Sequence, residues 1–206
     1  WEAGAGETQN NRILRPASDP FQPTGGLKRL DGSLGAAVTK VSAVKPEQQT
    51  IEAPVRVFHD QETVKAAYQA GEFDSDVIVV VRFQGPKANG MPELHSLTPV
   101  LANLQARGLK VALVTDGRMS GASGKVLSAI HVCPEAVDGG PIAKLKDGDI
   151  LRVDAAHGRL EIMTKGVLDR PCATADLSGN GFGQGRELFN HFRTLVGSAD
   201  TGASSI

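Results

Sequence analysis

Cysteine is scarce in this chain: Cys133 and Cys172 are the only two among 206 residues. They stand far apart, and no Cys-x-x-Cys pair exists. This excludes a disulfide framework and a self-contained zinc site, and any iron–sulfur centre must draw most of its thiolates from another segment. No apolar run approaches the roughly 20 residues of a membrane helix. The amino terminus also lacks a basic segment followed by an apolar one, so neither a membrane partner nor a signal peptide is expected, and a cytoplasmic protein is. Charge of one sign is missing too. The 22 Lys and Arg nearly balance 23 Asp and Glu, for a net charge of −1. Without a dense basic block nucleic acid is excluded as partner, whereas a small anion needs only a few cations. Finally, His59, His95, His131, His157 and His191 are scattered, with no short His pair of the zinc-enzyme kind. Each is read as a packing or surface residue.

What the chain does have is glycine, 24 in all, concentrated where strands end. Val111–Val114 reads as a buried strand. Beyond it Gly117, Gly121 and Gly124 alternate with Arg118, Ser120, Ser123 and Lys125. Glycine permits close backbone approach, so such a loop can fix hydroxyl and guanidinium groups at a strand end. An ordinary Gly-rich turn satisfies the same spacing equally well. A second loop, Gly85 to Glu93, again follows an apolar strand and precedes a helix, where α/β proteins commonly hold ligands. Glu93, just after Pro92, is expected in a helix's first turn, where a carboxylate also gains from the helix dipole. Familiar motifs fail. Arg118 occupies the first glycine position of a Gly-x-Ser-x-Gly elbow around Ser120. Val126 stands where a P-loop needs Ser or Thr, and the run 179–185 does not fit a dinucleotide fingerprint.

In order along the chain, residues 1–26 read as a linker or arm rich in Pro and Gly, and residues 27–206 as one domain. Strands are predicted at Ala36–Val44, Val55–Phe58, Val77–Phe83, Val111–Asp116 and Val126–Val132. Asp60 should cap a helix over Gln61–Ala70 with Val64, Ala67 and Tyr68 on one face, closed by Gly71. A second helix is expected over Leu97–Arg107. Ile150–Asp154 and Leu160–Ile162 suggest hairpin pairing, and Arg186–Val196 an amphipathic helix with Leu188, Phe189, Phe192 and Leu195 on one side. The pattern points to a mixed α/β domain with a closed or partly closed β core flanked by helices.

Thr115-Asp-Gly-Arg-Met-Ser-Gly-Ala-Ser-Gly-Lys125 with Ala129-Ile-His-Val-Cys-Pro-Glu-Ala136 resembles the C-terminal region of the iron–sulfur dihydroxy-acid/6-phosphogluconate dehydratases. Leu30-Asp-Gly-Ser-Leu-Gly35, Lys40-Val-Ser-Ala-Val-Lys-Pro46, Gly85-Pro-Lys87, Gly90-Met-Pro-Glu-Leu94 and Gly185-Arg-Glu-Leu-Phe189 extend the likeness over nearly the whole chain. It is greatest to members acting on 6-phospho-D-gluconate, but covers only about the last third of a family member. Ser33 and Ala36-Ala37 depart from the family pattern. The resemblance implies a swivelling β/β/α barrel-like domain similar to the mobile domain of aconitases. It implies a hydro-lyase giving 2-dehydro-3-deoxy-6-phospho-D-gluconate in the Entner–Doudoroff pathway, with a 4Fe-4S cluster whose ligands lie in an absent N-terminal region. That region and a phosphorylated sugar acid are then the partners, and the full-length enzyme a homodimer. Carried onto this sequence, Ser120 is the catalytic base, Glu93 a ligand for a divalent metal such as Mg²⁺, and Thr115, Arg118, Ser123 and Lys125 candidates for substrate binding. For Ser120 the structural alternative is a hydroxyl that satisfies the loop backbone. A dihydroxy-acid or other sugar-acid dehydratase domain, or a stand-alone anion-binding module, are the competing readings.

Overall fold

Every residue of Val77–Val81 and of Val111–Thr115 is buried, and these two strands form the centre of the fold. In the computed structural model, which describes residues 6–119 and 125–206, eight strands close into a barrel. In chain order they are β1 (Leu27–Gly32), β2 (Gly35–Lys40), β3 (Thr50–Phe58), β4 (Val77–Val81), β5 (Val111–Thr115), β6 (Leu127–Cys133), β7 (Ile150–Asp154) and β8 (Arg159–Ile162). The helices are α1 (Gln61–Gln69), the single turn α2 (Pro86–Asn89), α3 (Thr98–Ala106) and α4 (Arg186–Leu195). Around the barrel the order is β1, β2, β6, β5, β4, β3, β7, β8. Strands β3, β4, β5 and β6 run parallel, the hairpins β1–β2 and β7–β8 flank them antiparallel, and one parallel pair, Asp31 with Arg159, closes the ring.

The apolar runs of β4 and β5 follow from burial on both faces. Ile78, Val80, Ala112 and Val114 point into the barrel core with Leu30, Val55, Leu151 and Val153. Val77, Val79, Val81, Leu113 and the α1 and α3 residues Val64, Ala67, Leu101 and Leu104 form a second core outside the barrel. Strands β3 and β7 are covered on one face, so they alternate instead.

Most predicted elements are present with shifted ends. Asp60 caps α1 by accepting the Thr63 N–H at 2.7 Å, and Gly71 ends it at φ 74°. Strand β3 begins at Thr50 and runs through Pro54. The N–H of Val55 bonds the Asp149 carbonyl at 2.8 Å, so the proline's missing N–H faces the other side, where β4 pairs only from Val55 onward. Strand β1 was not anticipated: of its side chains only Leu30 is buried, and Leu27 is 66% exposed. Ser33 joins the first hairpin to β8. Its hydroxyl donates to Glu161 at 2.8 Å and accepts the Ile162 N–H at 2.7 Å.

Asp149, buried at the start of β7, accepts two bonds from the Arg170 guanidinium, at 2.6 and 3.0 Å, and the Lys146 N–H at 2.8 Å. Burial alone would push its carboxyl up, but Arg170 and the Lys146 N–H hold it below the ordinary carboxylate value. A depressed acid stabilises the fold above the unfolded value near 3.8, and that contribution is lost as pH falls through the folded value. Arg170→Met is therefore expected to cost about 2 kcal/mol at pH 7, since it strands a buried charge although Arg170 itself is partly exposed. Urea denaturation should show the deficit shrinking below about pH 4. A deficit that is the same at pH 7 and pH 3 would assign the loss to packing.

Candidate active-site rim

Because β3 to β6 run in one direction, their C-terminal ends gather on one rim of the barrel, and the segments after β4, β5 and β6 meet there. Asp116, the residue after β5, ties the three together. One carboxylate oxygen accepts the N–H groups of Phe83 at 3.0 Å and Ala136 at 2.9 Å, and the other accepts that of Gln84 at 2.9 Å. Glu135, after β6, accepts the N–H groups of Lys87 and Ala88 at 3.0 and 3.1 Å, capping the first turn of α2. Both acids are buried. Burial pushes both carboxyls up from their ordinary range, and the backbone donors act against it. The glycines beside them are required for space: a β-carbon at Gly85 would collide with the Glu135 carboxylate, and one at Gly117 with the Gln84 side chain.

On this frame the structure brings together two of the predicted site residues. Glu93 and Arg118 form an isolated parallel bridge; the Leu94 N–H bonds the Arg118 carbonyl at 3.1 Å, and the two side chains approach to 3.8 Å. Both keep part of their surface open. Glu93 is thus extended and not in the first turn of a helix. Burial of Leu94 and pairing with the strand extension at Arg118 fix it, and the proline that opens α3 is Pro99. His131 faces the same corner. Its N–H bonds the Gly117 carbonyl at 2.9 Å, and burial, then Arg118, push its imidazole down toward the neutral form.

The other candidates fall elsewhere. Thr115 is fully buried, and its hydroxyl accepts the Gly117 N–H at 2.9 Å, so it shapes the turn from behind. Lys125 precedes β6, whose start pairs with the start of β5. It therefore lies a strand length away from Arg118, on the opposite rim, where its carbonyl meets Gln105. Ser120 and Ser123 lie outside the described residues.

Sequence reading assigned no role to Asp116 and Glu135; the available signal was an acid directly following an apolar strand. It also missed Arg82, a buried guanidinium whose Nη1 donates to the carbonyls of Ile142, Ala143 and Leu145 at 3.2, 3.0 and 3.0 Å. Its Nε donates to His59 at 3.2 Å. That bond makes the His59 ring an acceptor, and burial, then Arg82, push its pKa down.

Among the described residues, no three His, Cys, Asp or Glu side chains gather as a metal centre requires. Cys133 is buried with its thiol against the His131 carbonyl at 3.2 Å, and Cys172 is exposed. These residues do not fit an iron–sulfur cluster, and Glu93 offers a hard divalent ion a single carboxylate, fewer ligands than such an ion takes. What the rim does present is a guanidinium beside a carboxylate, both open, on a backbone frame immobilised by two buried acids. A guanidinium so placed suits a carboxylate or phosphate.

Comparison with known proteins agrees with the motifs. The chain is 57% identical over 195 residues to the phosphogluconate dehydratase of Rhizobium meliloti, covering 94% of this chain and 32% of that protein. With that of Pseudomonas aeruginosa it is 55% identical over 207 residues, covering all of this chain and 34% of that protein. A relative with the other family name, the dihydroxy-acid dehydratase of Sulfurisphaera tokodaii, is 44% identical over 156 residues, 74% of this chain and 27% of its own length. The chain thus spans about a third of the length of the curated relatives it matches. Residues 12–203 match the model of the dihydroxy-acid/6-phosphogluconate dehydratase C-terminal family, and the chain belongs to that family.

Proposed function

We propose that this chain is the C-terminal part of a hydro-lyase that converts 6-phospho-D-gluconate to 2-dehydro-3-deoxy-6-phospho-D-gluconate. The observation that supports this substrate over other sugar acids is the identity of 57% and 55% with proteins named phosphogluconate dehydratase, against 44% over a shorter stretch with a dihydroxy-acid dehydratase. The reaction removes the proton from C2 and hydroxide from C3, together one water, and the resulting enol tautomerises to the 2-keto acid. Neither departure is easy at neutral pH. An iron–sulfur cluster and a divalent ion would supply Lewis acidity, held mainly by residues outside this chain.

In this reading Ser120 takes the C2 proton, and Glu93 contributes one oxygen to the divalent ion. Arg118, with Ser123, holds an anionic group of the substrate. Thr115 supports the turn, and Lys125 stands on the far rim. The barrel is the unit that swivels against the N-terminal part, bringing this rim over the metals.

The test uses the full-length protein, reconstituted anaerobically. It should release 2-keto acid from 6-phospho-D-gluconate with kcat/KM at least about 100-fold above that for gluconate or a 2,3-dihydroxy acid, as expected when a substrate group has a dedicated polar partner. The 206-residue chain alone should be colourless and inactive. Equal or better turnover of a 2,3-dihydroxy acid would move the assignment to the other branch of the family. Turnover by the 206-residue chain would remove the need for an N-terminal part.

A further inference from the structure

Helix α4 holds two guanidinium groups beside residues 89–92 by neutral partners alone. Arg186, its first residue, donates through Nη1 to the Asn89 side-chain oxygen at 2.7 Å and to the Asn180 carbonyl at 3.1 Å. Asn89 is set in turn by Gln84, whose side-chain oxygen accepts its N–H at 3.0 Å, and the Gln84 N–H is one of those held by Asp116. Arg193 follows two turns along α4, on the same side. Its Nη2 donates to Asn190 at 2.6 Å and lies 3.7 Å from where a β-carbon at Gly181 would stand, so both guanidiniums end at residues 180–181. Its Cδ is 3.5 Å from the same point at Gly90. Both arginines are half-buried. Among the described residues every hydrogen-bond acceptor of the two is an amide or carbonyl oxygen, so each is immobilised without being neutralised.

The two line one groove of about 460 Å³ together with Met91, Pro92, Phe189 and Phe192. None of its described lining residues is Asp or Glu. Apolar walls lower the local dielectric, which strengthens both the repulsion between two like charges and the attraction of each for an anion. We propose that this groove binds the phosphate of the substrate, a phosphomonoester dianion, with Arg186 and Arg193 as its donors. This rests on the reading of the chain as part of a 6-phospho-D-gluconate hydro-lyase and gives that substrate's second anionic group a place. Guanidinium forks match phosphate oxygens, and the bonds of Arg186 leave its Nε and Nη2 for them. Gly90, beside Arg193, is three residues from Glu93, at most about 11 Å along the chain. One six-carbon chain can therefore set its carboxylate end at Arg118 and its phosphate in the groove. An unphosphorylated dihydroxy acid has no group for it.

The experiment uses the full-length protein, reconstituted anaerobically, with Arg193→Ala as the main variant. Among the described residues Arg193 bonds only within α4, so its loss leaves the Arg186 tie to the barrel in place. The variant should lower the ratio of kcat/KM for 6-phospho-D-gluconate to that for D-gluconate at least tenfold, mainly through KM, as expected for a lost charge-assisted hydrogen bond. Arg193→Lys should recover part of the ratio. Titration calorimetry with inorganic phosphate reads the site without turnover: affinity should fall at least tenfold in Arg193→Ala and further when Arg186→Gln is added. Equal loss on both sugar acids, or phosphate affinity within threefold of wild type in the folded variant, would overturn the proposal and leave Arg186 as a latch for α4. The two readings separate. Preferred turnover of 6-phospho-D-gluconate that Arg193→Ala does not alter sinks the phosphate groove alone. Phosphate binding that Arg193→Ala abolishes, in a protein without that preference, sinks the substrate assignment and keeps the groove.

Discussion

Asp116→Ala is expected to leave the chain without a stable fold at 25 °C. The wild-type carboxylate accepts three backbone N–H groups from segments that otherwise share no strand pairing, those of Phe83, Gln84 and Ala136. Alanine leaves all three donors buried and unpaired, at about 1–3 kcal/mol each. That sum rivals the roughly 5–15 kcal/mol by which domains are stable at all. Asp116→Asn should be milder, because the amide keeps one acceptor oxygen and is uncharged. Burial pushes the Asp116 carboxyl above its ordinary value. For an acid raised in the folded state, stability declines as pH rises from the unfolded value toward the folded one, and the asparagine escapes that decline. Its net deficit should be about 1–3 kcal/mol, from the N–H that now faces the amide nitrogen. Urea denaturation checks the ranking; an alanine variant within 1 kcal/mol of wild type would show that water replaces the carboxylate and that Asp116 does not hold the rim.

Which parts of this molecule could be read in advance follows from where its information is stored. The barrel's parallel strands are buried on both faces, so their identity is written in local runs such as Val77–Val81. The cap of α1 is written in Asp60 and Thr63. Strand β1 is different: Leu27-Lys-Arg-Leu-Asp-Gly has no alternation to find, because pairing with β2 and the Ser33 contacts to Glu161 hold it, and both lie in other parts of the chain. The same holds for the rim. Arg118 and Glu93 were legible from a family pattern, and the structure puts them side by side. Lys125 belongs to the same motif yet stands on the opposite rim, because a parallel connection returns the chain to the other end of the sheet. Proximity in sequence misleads wherever β5 and β6 run the same way. Asp116, Glu135 and Arg82 were illegible for a related reason: each is a buried charged residue satisfied by backbone groups, and backbone partners leave no trace in side-chain identity.

If the proposed function holds, Ser120→Ala in the full-length protein should lower kcat by roughly 10²–10⁴, the usual contribution of a positioned general base, with KM for 6-phospho-D-gluconate changed by less than about threefold. A free serine hydroxyl is far too weak an acid to serve unless strong positive potential surrounds it. Within this chain Arg118, two residues away in sequence and open at the rim, is one cation that could contribute to it. On the proposed reading the rest would come from metals held outside this chain. The base role therefore predicts a specific dissociation: the variant keeps its bound iron, its thermal transition and its affinity for substrate, and loses exchange of the C2 proton with deuterated solvent. Ser120→Cys, whose thiol ionises more readily than an alcohol, should recover part of that exchange. If the hydroxyl only satisfies the loop backbone, the alanine variant would instead lose stability and retain exchange in whatever fraction stays folded. Exchange within threefold of wild type in a fully folded Ser120→Ala enzyme would place the base on another residue.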